Sequence, residues 1–379
     1  MQSEAFLSIT RQNIRYRGKF FLKGPTRCAY SLLMAGAACV HGESLRQDTR
    51  CIRRRKGFWV PALSLCLGIA LHAAPVELKR GENKVDVVIG GQPFTTYYFD
   101  SAVAKPYLMP LRTASGVVIS RGFPVVNTVS GADQKSPYFE PHQRPLYFDH
   151  GDIDGLNFWA EKAFDPYYHG HSHQAYGRMA LVKLEDSTGG AEAGTIRALF
   201  NLLAPSGRII AEETQSFKFQ GDGKARIIDC DFVVNANHGP VTFGDTKEGT
   251  FAVRLGPELS APHDHMINSN GGKGEPAIWG KPADWVAYSG EVSGNPVSVA
   301  VFDNPKSFRH PTTWHARAYG LLAANPFGAR EFTNDPAKDG SWTVPEGKSI
   351  TFRYRVVIYD GQLTPERITA LYREYSGAQ

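Results

Sequence analysis

The chain is predicted to be all-β: a large antiparallel sandwich of two sheets, with long loops and a short C-terminal helix. Three observations predict this. Segments rich in β-branched and aromatic residues recur after residue 75, turn-forming Gly and Asn clusters separate them, and strands nowhere alternate regularly with helices. The last point argues against a parallel α/β sheet.

The elements follow in order. Lys84–Ile89 and Phe94–Phe99 are parted by Gly90-Gly91, a hairpin signal. Arg178–Leu184 and Thr195–Leu203 flank Ser187-Thr-Gly-Gly190, and Ala225–Val234 lies between Gly221-Asp-Gly223 and Asn235-Ala-Asn-His-Gly239. Val297–Phe302 and Ile350–Tyr359 complete the set, and the latter alternates polar and apolar residues as a half-buried strand does. One helix is expected at the end of the chain: Thr364 serves as N-cap, Pro365 takes the first helical position, and Gly377 follows the last turn. The segments 121–145, 160–176, 256–285 and 303–345 are rich in Gly, Pro, His and Asn and are expected to be long loops, the places where function concentrates.

The first 74 residues differ in character. Arg53-Arg-Arg-Lys56, the apolar run Val60–Leu71 and the small residues before Pro75 have the layout of a secretory signal peptide. Its place after 52 residues suggests that 1–52 is a leader from a start assigned too far upstream; a cytoplasmic leader with an anchor at 57–74 is the alternative. The expected organisation is leader 1–52, signal peptide 53–74 and one sandwich domain over 75–379, periplasmic or secreted. The formal net charge is +5, but 1–74 carries +9, which leaves −4 for the rest. That balance, without clustered Lys and Arg, speaks against nucleic-acid binding, and no span of the mature chain reads as a membrane helix. Of five cysteines only Cys230 lies beyond residue 74, so no disulfide is expected in the mature chain and Cys230 reads as a small buried hydrophobe.

Two stretches concentrate chemistry among aromatic residues: Pro141–Trp159 and His310–Gly328. Aromatic walls with a few polar heads suit a polar, ring-shaped ligand such as a sugar. In the first, His142, His150, Arg144, Asp152, Asn157 and Trp159 are the candidates. In the second they are Trp314, His315, Arg317, Tyr319 and Asn325; a strand over 312–317 would put His315 and Arg317 on one face, opposite Trp314 and Ala316. Lys247 and Glu248 offer an electrostatic stabiliser and a general base, and Trp279 and Lys281 add a further aromatic and cation. In the roles this suggests, His142, His150, His315 and Glu248 move protons, while Arg144, Asp152, Asn157, Trp159, Lys247, Trp279, Lys281, Trp314, Arg317, Tyr319 and Asn325 hold the substrate. A divalent or transition metal is a further reading, carried by His169, His171, His173, His263 and His265. Three histidines at alternate positions of a straight strand would span roughly 13 Å, so one ion would require a curled loop.

The ordered motifs resemble a family of secreted bacterial proteins known as PmoA-like, or "methane oxygenase"-labelled. They are Lys105-Pro-Tyr-Leu-Met-Pro-Leu-Arg112, His142-x-Arg144, His150-Gly-Asp-Ile-Asp-Gly155, Phe158-Trp159, Lys247-Glu-Gly-Thr-Phe251, Trp279-Gly-Lys281, Trp285, Tyr288-Ser-Gly290 and Trp314-His-x-Arg317 with Asn325-Pro-Phe-Gly328. Relatives usually carry a second His where this chain has Gln143. The resemblance implies carbohydrate metabolism and a fold similar to galactose mutarotase-like sandwiches. It does not carry over membrane methane oxidation, because no segment after residue 74 is a helix long and apolar enough to span. The expected function is therefore a carbohydrate-active protein, an enzyme using His-centred acid/base chemistry as lyase, epimerase or hydrolase. A non-catalytic glycan-binding sandwich and a metal-dependent oxidoreductase are the alternatives.

Overall fold

A computed structural model describes residues 73–122, 140–162, 175–260 and 265–377, all within one compact unit, Leu67–Gln379. The leader, and the signal-peptide stretch except for its last two residues, lie outside the described residues, as do His169, His171, His173 and His263.

In chain order the strands begin with β1 (Val76–Arg80), β2 (Lys84–Ile89), β3 (Gln92–Tyr98), β4 (Tyr107–Met109) and β5 (Leu146–His150). Next come β6 (Leu156–Asn157), β7 (Ala175–Tyr176), β8 (Arg178–Thr188), β9 (Gly194–Leu203) and β10 (Ile209–Gly221). They continue with β11 (Ala225–Asn235), β12 (Val241–Phe243), β13 (Gly249–Arg254), β14 (Met266–Asn268) and β15 (Trp285–Val292). The last are β16 (Asn295–Asp303), β17 (Trp314–Arg317), β18 (Leu321–Ala324), β19 (Trp342–Val344) and β20 (Ser349–Asp360). The helices are α1 (Glu275–Ile278), α2 (Ala329–Thr333) and α3 (Pro365–Ser376). Two eight-stranded sheets dominate, in the orders β1-β2-β3-β4-β5-β13-β18-β17 and β14-β15-β16-β20-β11-β10-β9-β8. Every pairing within them is antiparallel. This is the all-β sandwich with a C-terminal helix that the sequence predicts.

The core lies between the sheets and is largely aromatic. Phe148 of the first sheet stacks on Phe232 of the second at 4.2 Å between ring centres, and Phe251 on Tyr354 at 4.6 Å. Cys230 is a buried free thiol in this layer, and burial pushes its pKa up. Helix α3 begins and ends as its caps dictate: the Arg367 N–H donates to the Thr364 hydroxyl at 3.3 Å, and Gly377 turns the chain out in the left-handed region, φ 71°. Its Ile368 and Tyr372 cover Trp285, Phe302 and Val357 on the outer face of the second sheet.

Two expectations change. The segments 256–285 and 303–345 are not uninterrupted loops: they contain β14 and α1, and β17, β18, α2 and β19. Elements of three to five residues hold too little of a period to be recognised. The thirteen-residue β10 also goes unrecognised in the sequence, because its inward face carries Glu213 and Gln215 ahead of Phe217 and Phe219. These polar residues form a bridge through the core: the Tyr97 hydroxyl donates to Gln215 Oε1 at 2.8 Å, and Gln215 Nε2 donates to Glu213 Oε1 at 2.8 Å.

Burial raises the Glu213 pKa well above its ordinary 4.5, so the folded chain holds it protonated. The unfolded chain releases that proton from about pH 4.5 upward. The raised pKa therefore favours the fold fully below that pH, and stability falls by up to about 1.4 kcal/mol per pH unit until the folded pKa is reached. Glu213→Gln keeps the acceptor for Gln215 and removes the titration. Urea unfolding should show the variant matching the parent near pH 4 and exceeding it at pH 8; equal slopes against pH would show that Glu213 does not titrate on unfolding.

Candidate functional site

The outer face of the first sheet, away from the core, carries the polar residues. Side chains alternate across a strand. On β5 Leu146 and Phe148 enter the core while Tyr147 points outward; on β13 Phe251 and Val253 enter it while Ala252 points outward. The register sets Tyr147 opposite Ala252, Ala252 opposite Ala323, and Ala323 opposite His315. Two alanines thus form a low floor between a tyrosine and a histidine roughly 14 Å apart, three strand spacings. The next row runs Arg254, Leu321, Arg317, and on the other side Asp149 lies opposite Thr250.

Charged side chains crowd this face. Arg144 grips Glu161 through a forked pair, Nε to Oε1 at 2.9 Å and Nη2 to Oε2 at 2.6 Å, and its guanidinium lies over the Tyr107 ring at 4.7 Å. Both partners are buried. Lys105 is fully buried, donates to the carbonyls of Phe158 and Trp159, and sits over the Tyr147 ring at 4.7 Å. Lys247 Nζ bridges Glu331 at 3.0 Å and Glu248 at 3.4 Å. Arg317 Nε meets Glu275 of α1 at 2.8 Å. Arg254 stacks on Tyr319 at 4.7 Å, and Gln143 Nε2 donates to the Tyr319 hydroxyl at 3.3 Å.

Burial sets the protonation states. His142 is held well below its usual pKa by burial and by the cations Lys105, Arg121, Arg144 and Arg254. His315 is pushed down to about 3 by burial, with Arg317 and Lys247 adding to it. Both are neutral imidazoles at physiological pH. Glu140 is raised to about 7 by burial, with the Glu248 carboxylate nearby reinforcing the shift. Glu248 is raised by burial as well, while Lys247 works in the opposite direction. Asp149 and Lys105 are electrostatically linked and both moved toward their neutral forms by burial. Among the described residues, the buried polar atoms here without a hydrogen-bond partner include the Tyr147 hydroxyl, Gln143 Oε1, Trp159 Nε1 and Asp149 Oδ2.

The structure gathers His142, Arg144, Trp159, Lys247, Glu248, His315, Arg317 and Tyr319 around this face, and sets the other candidates elsewhere. His150 points the other way, its ring between Phe243 and Phe327, with Nε2 at 2.8 Å from the Gly244 carbonyl and its pKa lowered to about 4 by burial. Trp314 is a core residue whose Nε1 donates to the Ala283 carbonyl at 2.9 Å. Asp152 and Asn157 shape turns, accepting from the Gly155 and Ala160 N–H groups at 2.9 and 2.8 Å. Asn325 likewise accepts from the Phe327 N–H and donates to the Thr246 carbonyl, both at 2.9 Å. Trp279 stands edge-on to Phe332 at 5.2 Å, and Lys281 is exposed. His265 is the one metal candidate among the described residues, and no three His, Cys, Asp or Glu side chains there converge on a metal position. Sequence reasoning missed Glu140, Tyr147, Asp149 and Lys105. Tyr147 and Asp149 alternate with Leu146, Phe148 and His150 in a strand buried throughout, so polarity alone does not separate its faces.

Gly151 secures the Glu248 position. Its N–H donates to the Glu248 carbonyl at 2.6 Å, and a Cβ at residue 151 would stand 2.7 Å from the Glu248 Cβ and 2.9 Å from that carbonyl oxygen. Only glycine admits this approach.

A cavity of about 440 Å³ lies on the other sheet, lined by residues that include Arg197, Ser216 and Asp231. It is distant in topology from the cluster just described. The buried, charge-perturbed cluster is the better candidate for chemistry, because catalytic groups require shifted pKa values more than open volume.

No curated protein sequence matches the chain. Among solved structures it is similar to the GH36 alpha-galactosidase AgaB from Geobacillus stearothermophilus, with 10% identity, a TM-score of 0.34, and coverage of 76% of this chain and 41% of that one. It thus spans less than half of the galactosidase. It is also similar to the Slr1438 protein from Synechocystis sp. PCC 6803, with 9% identity, a TM-score of 0.28, and coverage of 76% and 96%. Likenesses this distant bear on neither mechanism nor substrate. The family comparison shows no relation to PmoA. A family model does match residues 84–373, most of the sandwich, and on it the chain belongs to the family described as "Family of unknown function (DUF6807)".

Proposed function

We propose that the chain is a carbohydrate-active enzyme whose acid/base groups are carboxyls on the outer face of the first sheet. The observation that carries this reading is the pair Glu140 and Glu248. One carboxyl is held near pH 7 by burial and its neighbour, and the other is paired with Lys247 at 3.4 Å. Carboxyls in environments that treat them differently divide into acid and base. Glu140, protonated over part of the physiological range, donates a proton to a sugar oxygen. Glu248, whose pKa burial raises while Lys247 at 3.4 Å opposes that shift, receives one in its ionised form. Tyr147, Gln143 and Trp159 offer hydrogen-bonding atoms that meet no partner among the described residues, and sugar hydroxyls complement them.

This moves the proton chemistry away from the histidines. An imidazole whose conjugate acid forms only near pH 3 is a poor proton carrier at pH 7, so His315, and by the same logic His142, serve as neutral hydrogen-bonding groups. The signal-peptide layout of residues 53–74 supports a periplasmic or secreted setting, and the hydrogen-bonding atoms set among aromatic rings support carbohydrate as the substrate class.

The test begins with a panel of neutral and acidic oligosaccharides, read by NMR for new products. With a substrate found, kcat/KM should fall on the alkaline side with a midpoint near pH 7. Glu140→Gln should abolish that limb and lower kcat by about a hundredfold, and Glu248→Gln should cost a similar factor. Full turnover by both variants would overturn the assignment. Glycan binding without turnover would instead support a non-catalytic glycan-binding sandwich.

A further inference from the structure

The outer face of the second sheet is divided in two. Helix α3 covers the half built on β15, β16 and β20, and the cavity of about 440 Å³ opens over β8 to β11 beside it. This hollow has a cause in the sequence. The register aligns Asp186, Arg197, Ser216, Asp231 and Arg353 across five neighbouring strands, with the short Ser216 at the middle of the row. In the next row Thr195 lies opposite Lys218. Small side chains between long ones leave a trough, and Tyr375, from the last turn of α3, closes one end.

Three cations (Arg197, Lys218, Arg353) and three anions (Asp186, Asp229, Asp231) line the trough, so its formal charge is zero. Several are already paired: Arg353 with Asp231 at 3.3 Å, Arg197 with Glu185 at 2.7 Å, and Asp229 with Arg355 at 2.6 and 2.8 Å. A phosphate or polyanion would meet three carboxylates, and a polycation three positive groups. Hydroxyl groups suit both signs, since each accepts from a guanidinium and donates to a carboxylate. Tyr375 adds an aromatic wall whose ring is 4.5 Å from the Arg355 guanidinium. From this we infer that the trough is a second binding site, for a neutral oligosaccharide chain lying across β9, β10 and β11. The two sites face away from each other across the sandwich. The inference does not depend on the acid/base reading, because its test measures binding and not turnover.

The test is calorimetric titration of the full chain with maltohexaose, cellohexaose and xylohexaose, and with oligogalacturonate and chitosan oligomers as charged controls. At least one neutral hexaose should bind, with an affinity that changes little between 0.05 and 0.5 M salt, roughly the range over which exposed ionic contacts are screened away. Ser216→Trp fills the trough and Tyr375→Ala removes its wall; each should weaken that binding about tenfold or more. Circular dichroism and thermal unfolding establish that each variant is folded, and Tyr375→Ala stands alone if Ser216→Trp is not. Three results would each overturn the proposal: no neutral hexaose binds, only charged oligomers bind, or folded trough variants bind as the parent does.

Discussion

Replacing Arg144 with Met should destabilise the fold by about 3–5 kcal/mol, because it leaves the Glu161 carboxylate buried without its partner. The pair is held by a fork of bonds at 2.6–2.9 Å, with both side chains at most 5% exposed. The loss arises mainly from the uncompensated charge, not from any large net gain of the pair itself. A second change separates these two contributions. Arg144→Met combined with Glu161→Leu removes both charges and should recover most of the stability in urea unfolding, even though the recognition of any sugar is altered. If the double variant is as unstable as the single one, the packing of Arg144 over Tyr107 is the larger contribution.

The second large effect concerns Trp314. Its indole is fully buried in the sandwich core and its N–H is satisfied by the Ala283 carbonyl. Trp314→Ala should therefore cost about 3–5 kcal/mol through lost burial and a residual cavity. At temperatures where the variant remains folded, glycan binding should be close to that of the parent. A selective loss of binding with normal stability would return Trp314 to the ligand.

Much of the fold was legible because its long strands alternate clearly. Lys84–Ile89 is recovered with its limits unchanged, Thr195–Leu203 differs from the observed strand by one residue at its start, and Ile350–Tyr359 by one residue at each end. The caps of α3 were equally plain. Strand β10 was not, because Glu213 and Gln215 break its inward apolar pattern. In the candidate site, the shared face of His315 and Arg317 follows from strand alternation alone, and the structure shows it. The opposite orientation of His150 could not be read, since a histidine next to Asp149 in a strand buried on both sides gives no sign of which side it takes. Nor could the sequence show that Glu140, from the loop before β5, is brought near Glu248 by pairings between strands about a hundred residues apart. Proximity of that kind is a product of topology.

The two faces of β5, β13 and β18 carry different duties, with core on one side and polar chemistry on the other. The period of a strand is two, so a single inserted residue would exchange them. Leu146 and Phe148 would turn out among charges while Tyr147 and Asp149 entered the sandwich, and stability and chemistry would be lost together. Within these strands an insertion of two residues keeps both faces in place, whereas the connecting segments accept insertions of odd or even length more readily. New specificities should accordingly arise by growth of the loops that frame the face, over a sheet whose spacing is effectively frozen.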